Sequence, residues 1–535
     1  MDLEFGEEEA ELRDAVRSVL EGISPPAVVR AVYDGRADAS TVWTSMVELD
    51  WPGLGIAAEY GGVGSGMVEL AIVAEELGRA TAPGPWLSTA TQFVPLFVEL
   101  ADAEQQQRWL PEVAAGRLTG ALAVSERRRW DTAAVRCAAS RTSGGWRLTG
   151  RKEAVLDGPT AEEFAVAARS ADGIGVFLVP RRDLTVHERA VIDPTMPLAD
   201  LALDDVAVPD DRVLGIPGSI EVERGLARAI EVATVALAAA TVGACRRIFE
   251  QTVEYAKVRE QYGKPIGSFQ ALKHRLADMY LAVERATSLC YFAALTIAED
   301  DERRGEAASL AKAAAGECQR LVANDGLQLH GGIGYTWEHD AHLFMRRAGA
   351  LHALFGSADD CKADVFALAR AGVERKLTID LPPEAETYRQ EVRDFLVGFT
   401  DLSAAEQRKR LVESGYLNPH WPKPYGRSAG AIEQLAIDEE FGDVERPDMS
   451  IGGWVTLTFT QHGSEQQVKR WTMPSLLGET EWCQMFSEPN AGSDAAGIQT
   501  KGVKVDGGWI VNGQKLWTSG AQHCTHGFAT VRTDP

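Results

Sequence analysis

Apolar positions recur at helical spacing through the first hundred residues. Leu, Val, Ile and Ala mark one face from Glu7 to Leu20 and again from Met67 to Ala80, with Gly-rich and Pro-rich breaks between. From about Gly120 to Val222 the pattern shortens. Val-rich and Leu-rich pieces such as Glu163 to Ala168 and Gly175 to Val179 alternate with Gly, Asp and Pro turns, which predicts a strand-rich domain. Helical spacing returns from Gly225 to Arg370, where Ala-rich stretches such as Ala236 to Ala244 permit close helix packing. The order is helices, strands, helices.

Beyond Arg370, Leu381-Pro382-Pro383-Glu384 favours extended backbone and predicts a linker, after which the pattern restarts. Glu104 to Trp109, Gly116 and Ser125-Glu126 recur as Glu465 to Trp471, Gly478 and Ser487-Glu488, with Trp471, Gly478 and Glu488 each 362 positions after Trp109, Gly116 and Glu126. Trp51-Pro52 and Tyr60-Gly61 recur as Trp421-Pro422 and Tyr425-Gly426 with small gaps. A period this long means tandem domains and not a solenoid. The divisions expected are helices over 1–119, strands over 120–222, helices over 223–370, a linker over 371–385, helices over 386–482 and strands over 483–535. The second series stops inside its strand-rich region, where a sheet cut part-way would expose unpaired edges. The expectation is therefore a fragment of a longer chain.

At 535 residues several cores are expected, and 45% hydrophobic with 25% charged residues is ordinary for a globular protein. A formal charge of -24 opposes nucleic acid and anionic membrane surfaces, so an anionic ligand needs a local basic site. The acidic N-terminus lacks the pattern of a secretory signal, and the longest apolar run, Val232 to Cys245, is shorter than the roughly 20 residues that cross a bilayer. The expectation is a cytoplasmic protein without a membrane partner. Seven scattered cysteines, with no Cys-x-x-Cys pair, read as free thiols and imply no metal framework.

Candidate chemistry concentrates in a few segments. Phe486 to Asp494, with Gly492 and Gly497, is turn-rich and small enough for backbone to approach a ligand, and Asn512 to Ser519 adds a turn, an aromatic and two hydroxyls. In the first series, Arg259 to Gln270 and Gln328 to Glu338 combine an always-charged forked cation with glycines that free backbone N–H groups, a combination suited to pyrophosphate. In order and spacing these four segments resemble the signatures of the acyl-CoA dehydrogenase family. The resemblance implies a mainly α fold with a β domain: an N-terminal helical domain, a middle β domain and a C-terminal four-helix bundle, followed here by a partial second copy. It implies FAD as cofactor, with Ser487 and Ser519 hydrogen-bonding the isoalloxazine and Trp517 packing on it. Gly492 and Ser493 would line the acyl-CoA path, and Arg259, Gln261, Gln328 and Gly332 would hold the adenosine diphosphate end.

Each copy keeps what the other lacks. The first copy reads Glu126-Arg127-Arg128-Arg129-Trp130-Asp131 against the Gly492-Ser493-Asp494 turn, a run expected to be a solvated loop, and Ala154-Val155-Leu156 against Trp517-Thr518-Ser519. The family's proton-accepting glutamate is replaced by Phe355 in Leu354-Phe355-Gly356-Ser357, and at its alternative place by Ala233, with Glu231 turned about 200° away. The base is expected beyond Pro535. The implied reaction is α,β-dehydrogenation of an acyl-CoA thioester in fatty acid or steroid side-chain β-oxidation, at one flavin site shared by the unequal copies. Electron-transferring flavoprotein would be the acceptor and a dimer of fused chains the assembly. An acyl-CoA oxidase, or a catalytically inactive acyl-CoA- and FAD-binding protein, are the alternatives.

Overall fold

The N-terminal third is helical, as its spacing requires. In a computed structural model that describes residues 6–373 and 381–534, it comprises α1 (Glu7–Ile23), α2 (Pro26–Tyr33), α3 (Ser40–Glu48), α4 (Met67–Ala80), α5 (Trp86–Ser88), α6 (Val94–Leu100) and α7 (Ala103–Ala114). Helix α7 begins at a capping box: Asp102 accepts from the Gln105 N–H at 2.8 Å, and the Gln105 side chain accepts from the Asp102 N–H at 3.2 Å. Helix α4 is buried at nearly every position from Leu70 to Gly78, so it is an interior helix with no solvent face.

An eight-stranded sheet follows: β1 (Gly120–Ala123), β2 (Ala138–Thr142), β3 (Gly145–Leu156), β4 (Glu163–Arg169), β5 (Ile174–Pro180), β6 (Thr185–Glu188), β7 (Leu198–Val208) and β8 (Val213–Leu214). The order is β6-β7-β3-β2-β4-β5-β8, with β1 parallel to β4. Strand β7 covers the outer edge of β3 in antiparallel register, Leu148 opposite Val206 and Trp146 opposite Val208, and this buries both β3 side chains.

Helices α8 (Ile220–Val258), α9 (Gln270–Ala298), α10 (Arg304–His330), α11 (Ala341–His352) and α12 (Ala358–Arg370) complete the first unit, with the small hairpin β9 (Glu260–Gln261) and β10 (Lys264–Pro265) after α8. Counting an unbroken apolar run understated α8: the run is the middle of a 39-residue helix, and by length and composition both α8 and α9 could cross a membrane. The most apolar window of α8 is 78% buried inside the protein, the state of a core helix. Small residues permit its approach to α4. A Cβ on Gly78 would lie 1.9 Å from the Ala240 carbonyl oxygen, and one on Gly243 would lie 1.8 Å from that of Glu75. At this contact the buried Glu75 carboxylate accepts from Arg13 of α1 (3.2 Å), Arg246 of α8 (3.1 Å) and the Tyr291 hydroxyl of α9 (2.5 Å).

Contacts divide the chain into Met1–Leu377 and Thr378–Pro535, and part of the expected linker, residues 374–380, lies outside the described residues. The second unit has α13 (Ala385–Leu396), α14 (Ala404–Ser414), α15 (Ala431–Phe441), α16 (Ser450–His462) and α17 (Glu465–Leu476), then β11 (Trp482–Met485), β12 (Lys501–Val505), β13 (Gly508–Asn512) and β14 (His526–Ala529). It is a partial second copy of the first. As Arg13 and Arg17 of α1 meet Glu75 and Glu76 of α4, Arg389 and Arg393 of α13 meet Glu439 and Glu440 of α15 at 2.6–2.9 Å. Strand β14 runs parallel to β11 as β4 does to β1, and β12 pairs antiparallel with β13 as β2 does with β3. Among the described residues β13 pairs only with β12, and its Trp509 is 53% exposed where the matching Trp146 is 9% exposed.

In the first unit the Asp157 carboxyl group is fully enclosed and accepts from the Ser88 hydroxyl at 2.6 Å, and burial raises its pKa to about 7. The folded state then holds a proton that the unfolded chain releases near 4, so stability falls as pH rises between these values. Asp157→Asn, which cannot ionise, is expected to flatten the decline in melting temperature between about pH 5 and about pH 8 and to leave the variant the more stable form at the upper end. Calorimetry across that range checks it.

Candidate functional site

In the second unit the chain leaves β11, turns through Phe486 to Gly497, crosses β12 and β13, and returns through Gly513 to Ser519. A buried ion pair joins the two loops. Lys515 Nζ donates to Glu488 Oε1 at 2.8 Å and to the Phe486 carbonyl at 3.0 Å, and both charged side chains are under one-tenth exposed. Glu488 also accepts the backbone N–H groups of Gln499 (2.6 Å) and Thr500 (2.9 Å). With Lys515 foremost, these donors hold its carboxyl down to about 2. The Leu516 N–H donates to the Ser487 carbonyl at 2.8 Å, so Ser487 is bracketed from both sides.

Past this clamp the backbone takes a left-handed turn at Trp517 (φ 57°), and the indole stands 86% exposed. Ser519 lies two residues on and lines a cleft of about 320 Å³ with Gly452, Trp482, Gly520 and Cys524. Gly492 and Ser493 are on the exposed turn of the first loop, and a Cβ on Gly492 would meet no atom within 4 Å. Ser487, Trp517 and Ser519 thus fall on two loops tied to each other.

The other predicted residues gather in the first unit. Arg259 follows α8, its N–H donating to the Tyr255 carbonyl and its carbonyl accepting from Ile266, and Gln261 lies in β9. Gln328 is in the last turn of α10, and Gly332 is in the 3₁₀ turn Gly331–Tyr335. The rings of Tyr255 and His330 stack with centroids 4.8 Å apart and bring the two segments side by side. All four residues are exposed.

At the first unit's counterpart of the two loops the scaffold is the same and the chemistry is different. Lys152 Nζ donates to Glu126 Oε1 at 2.6 Å, Glu126 accepts the N–H groups of Arg136 (2.8 Å) and Cys137 (2.9 Å), and the Glu153 N–H donates to the Ser125 carbonyl (2.9 Å). Lys152, Cys137 and Glu153 precede Lys515, Thr500 and Leu516 by 363 positions. Even the left-handed turn persists, at Ala154 (φ 50°). Leu156, in place of Ser519, is buried in the first unit's core.

The expectation that Glu126 to Asp131 is a solvated loop needs correction. Arg127, Arg128 and Arg129 are exposed, but Trp130 turns inward and stacks on Phe355, ring centroids 6.0 Å apart at 25°. Phe355 itself is buried with φ 57°. Two aromatic rings, one from each segment that differs from the family, fill the same space. Ala233 is buried, and Glu231 is tied to Arg304 at 2.6 Å. The Glu488–Lys515 clamp was overlooked in the sequence, although the recurrence of Glu126 and Lys152 in register is a signal that could have found it. Trp130→Ala is expected to cost about 2–3 kcal/mol through the lost stack and the space it leaves, read as a lower denaturation midpoint of the first unit.

Family comparisons follow this division. The acyl-CoA dehydrogenase N-terminal domain matches residues 6–117, the C-terminal domain 225–361, and the middle domain 483–535. Acyl-CoA dehydrogenase FadE34 of Mycobacterium tuberculosis is 35% identical over 533 residues, covering 98% of this chain and 70% of that protein. Among solved structures, a variant of the Tcur3481–Tcur3483 steroid ACAD superposes with a TM-score of 0.62 and 31% identity, over 69% of this chain and 99% of that one. A chain of the ChsE4–ChsE5 complex from Mycobacterium tuberculosis gives 0.63 and 26%, over 70% and 100%. The chain belongs to the acyl-CoA dehydrogenase family, FAD-dependent oxidoreductases that dehydrogenate acyl-CoA thioesters.

Proposed function

We propose that this protein carries out α,β-dehydrogenation at a single flavin site to which its two units contribute unequally, on an acyl-CoA with a bulky tail such as a steroid side chain. The observation that carries the reading is the division of residues. The exposed Trp517 ring and the Ser519 hydroxyl occur in the second unit, whereas the corresponding positions of the first hold Ala154 and Leu156 and its neighbouring loop carries the Trp130–Phe355 stack; Ser487 has its counterpart in Ser125. Arg259, Gln261, Gln328 and Gly332, suited to a pyrophosphate and adenosine, occur in the first unit.

The residues fit the cofactor at each end. Trp517 offers a flat ring face on a fixed turn, Ser519 opens on a cleft of about 320 Å³, and Gly492 leaves its surroundings clear for a thioester chain. The forked Arg259 guanidinium supplies the local cation that a protein of net charge -24 needs to hold an anionic group. Bound FAD would accept the hydride leaving the β-carbon. The α-proton needs a carboxylate acceptor, a role that neither Phe355 nor Ala233 can fill. Electron-transferring flavoprotein is the proposed acceptor, and a dimer of such chains, in the cytoplasm, the proposed assembly. The steroid assignment draws on the likeness to the Tcur3481–Tcur3483 steroid ACAD.

The native protein is expected to carry one FAD per chain and to lose its visible flavin absorption when a bulky acyl-CoA is added without air. Two FAD per chain would remove the divided site. Flavin that stays oxidised with acyl-CoA bound would leave a binding protein, and rapid peroxide formation in air would make it an oxidase.

A further inference from the structure

We propose that Glu488 and Lys515 are positioning residues, and that their buried ion pair fixes the turn which presents Trp517 and Ser519 to the flavin ring. This rests on the reading of the second unit as the ring-binding half.

Three observations lead there. The first is geometric. Lys515 Nζ ties the Glu488 carboxylate and the Phe486 carbonyl to the strand exit that carries Trp517, and the Leu516 N–H closes on Ser487 at 2.8 Å. Ser487 and Trp517 are thus within two positions of one clamp, and Ser519 is four beyond Lys515. The second is energetic. A buried ion pair pays a desolvation cost that well-packed apolar side chains avoid, so retaining one at a loop junction favours a role in fixing geometry. Here the carboxylate has two backbone N–H donors besides Lys515, which directs it toward Gln499 and Thr500 on the approach to β12.

The third is the internal comparison. Glu126 and Lys152 make the same bonds in the first unit, and the same left-handed turn follows, but the residue on it is Ala154. The task common to both pairs is therefore to hold the turn. Only in the second unit does the turn carry an aromatic ring and a hydroxyl beyond it. The first-unit pair supplies a control with the same local structure and with Ala154 and Leu156 in place of Trp517 and Ser519.

The test replaces both partners, because Lys515→Met alone would leave a buried carboxylate unpaired and could prevent folding. The double variant Glu488→Gln/Lys515→Met and its counterpart Glu126→Gln/Lys152→Met are prepared in the full protein. FAD affinity is measured by titration of flavin fluorescence, and the shape of the bound flavin's visible band is recorded together with the thermal melt. The expected result is a folded second-unit variant whose FAD dissociation constant rises at least about tenfold and whose visible band shifts toward that of free flavin. The first-unit variant is expected to alter the melt alone. If the second-unit variant binds FAD with the parent's affinity and spectrum, or if both variants weaken FAD equally, the positioning role is overturned while the ring-binding reading stands. Should the parent protein bind no FAD, that reading falls and this inference with it.

Discussion

The first unit depends on two helices touching backbone to backbone. Where α4 crosses α8, Gly78 and Gly243 leave no room for a Cβ, and each glycine faces a carbonyl oxygen of the opposite helix. Such contact excludes water and forces polar groups at the crossing to find partners within the protein. Glu75 does so by accepting from three helices, α1, α8 and α9, which ties the N-terminal helices to the bundle. The sheet and the hairpin carrying Arg259 are attached to elements whose positions this crossing sets. In the second unit the same Glu-Glu-x-Gly sequence recurs at Glu439 to Gly442, and a Cβ on Gly442 would find only the Glu439 carbonyl oxygen within 4 Å, at 3.8 Å.

Scaffold and chemistry have separated in this chain. The Glu–Lys clamp, the backbone N–H groups it collects and the left-handed turn beyond it occur in both units. The ring on that turn and the hydroxyl beyond it, Trp517 and Ser519, occur in the second alone. In the first unit two aromatic side chains close the space: Trp130 on the loop after β1 and Phe355 before α12. Neither residue explains the other alone, since a phenylalanine at Phe355 would leave a gap and a tryptophan at Trp130 would lack a surface to stack on.

Much of this was legible in the sequence because the signals are periodic or local. The apolar spacing of Met67 to Ala80 marks α4 at the bounds observed, and the 362-residue register of Trp109 with Trp471 announces the second copy before any coordinate is known. The segments assigned to the flavin rest on order and spacing that resemble the acyl-CoA dehydrogenase signatures. What escaped notice depends on contacts between distant residues. Trp130 and Phe355 are far apart in the chain, and an arginine-rich run disguised the inward turn of Trp130. The α8 helix was underestimated because its apolar middle is flanked by Glu and Arg residues that continue the same helix. The clamp was hidden because a lone lysine inside a motif resembles a surface charge until its carboxylate is located.

The left-handed turn at Ala154 has one more implication. A residue with a Cβ pays roughly 1–2 kcal/mol for that conformation, and in the second unit the same conformation holds an indole in place. In the first unit it displays only a methyl group. The strain has outlasted the ring, so the two units differ at this point in side chains and agree in main chain. One main-chain path thus carries two sets of side chains, an exposed indole in one unit and a methyl group followed by a buried leucine in the other.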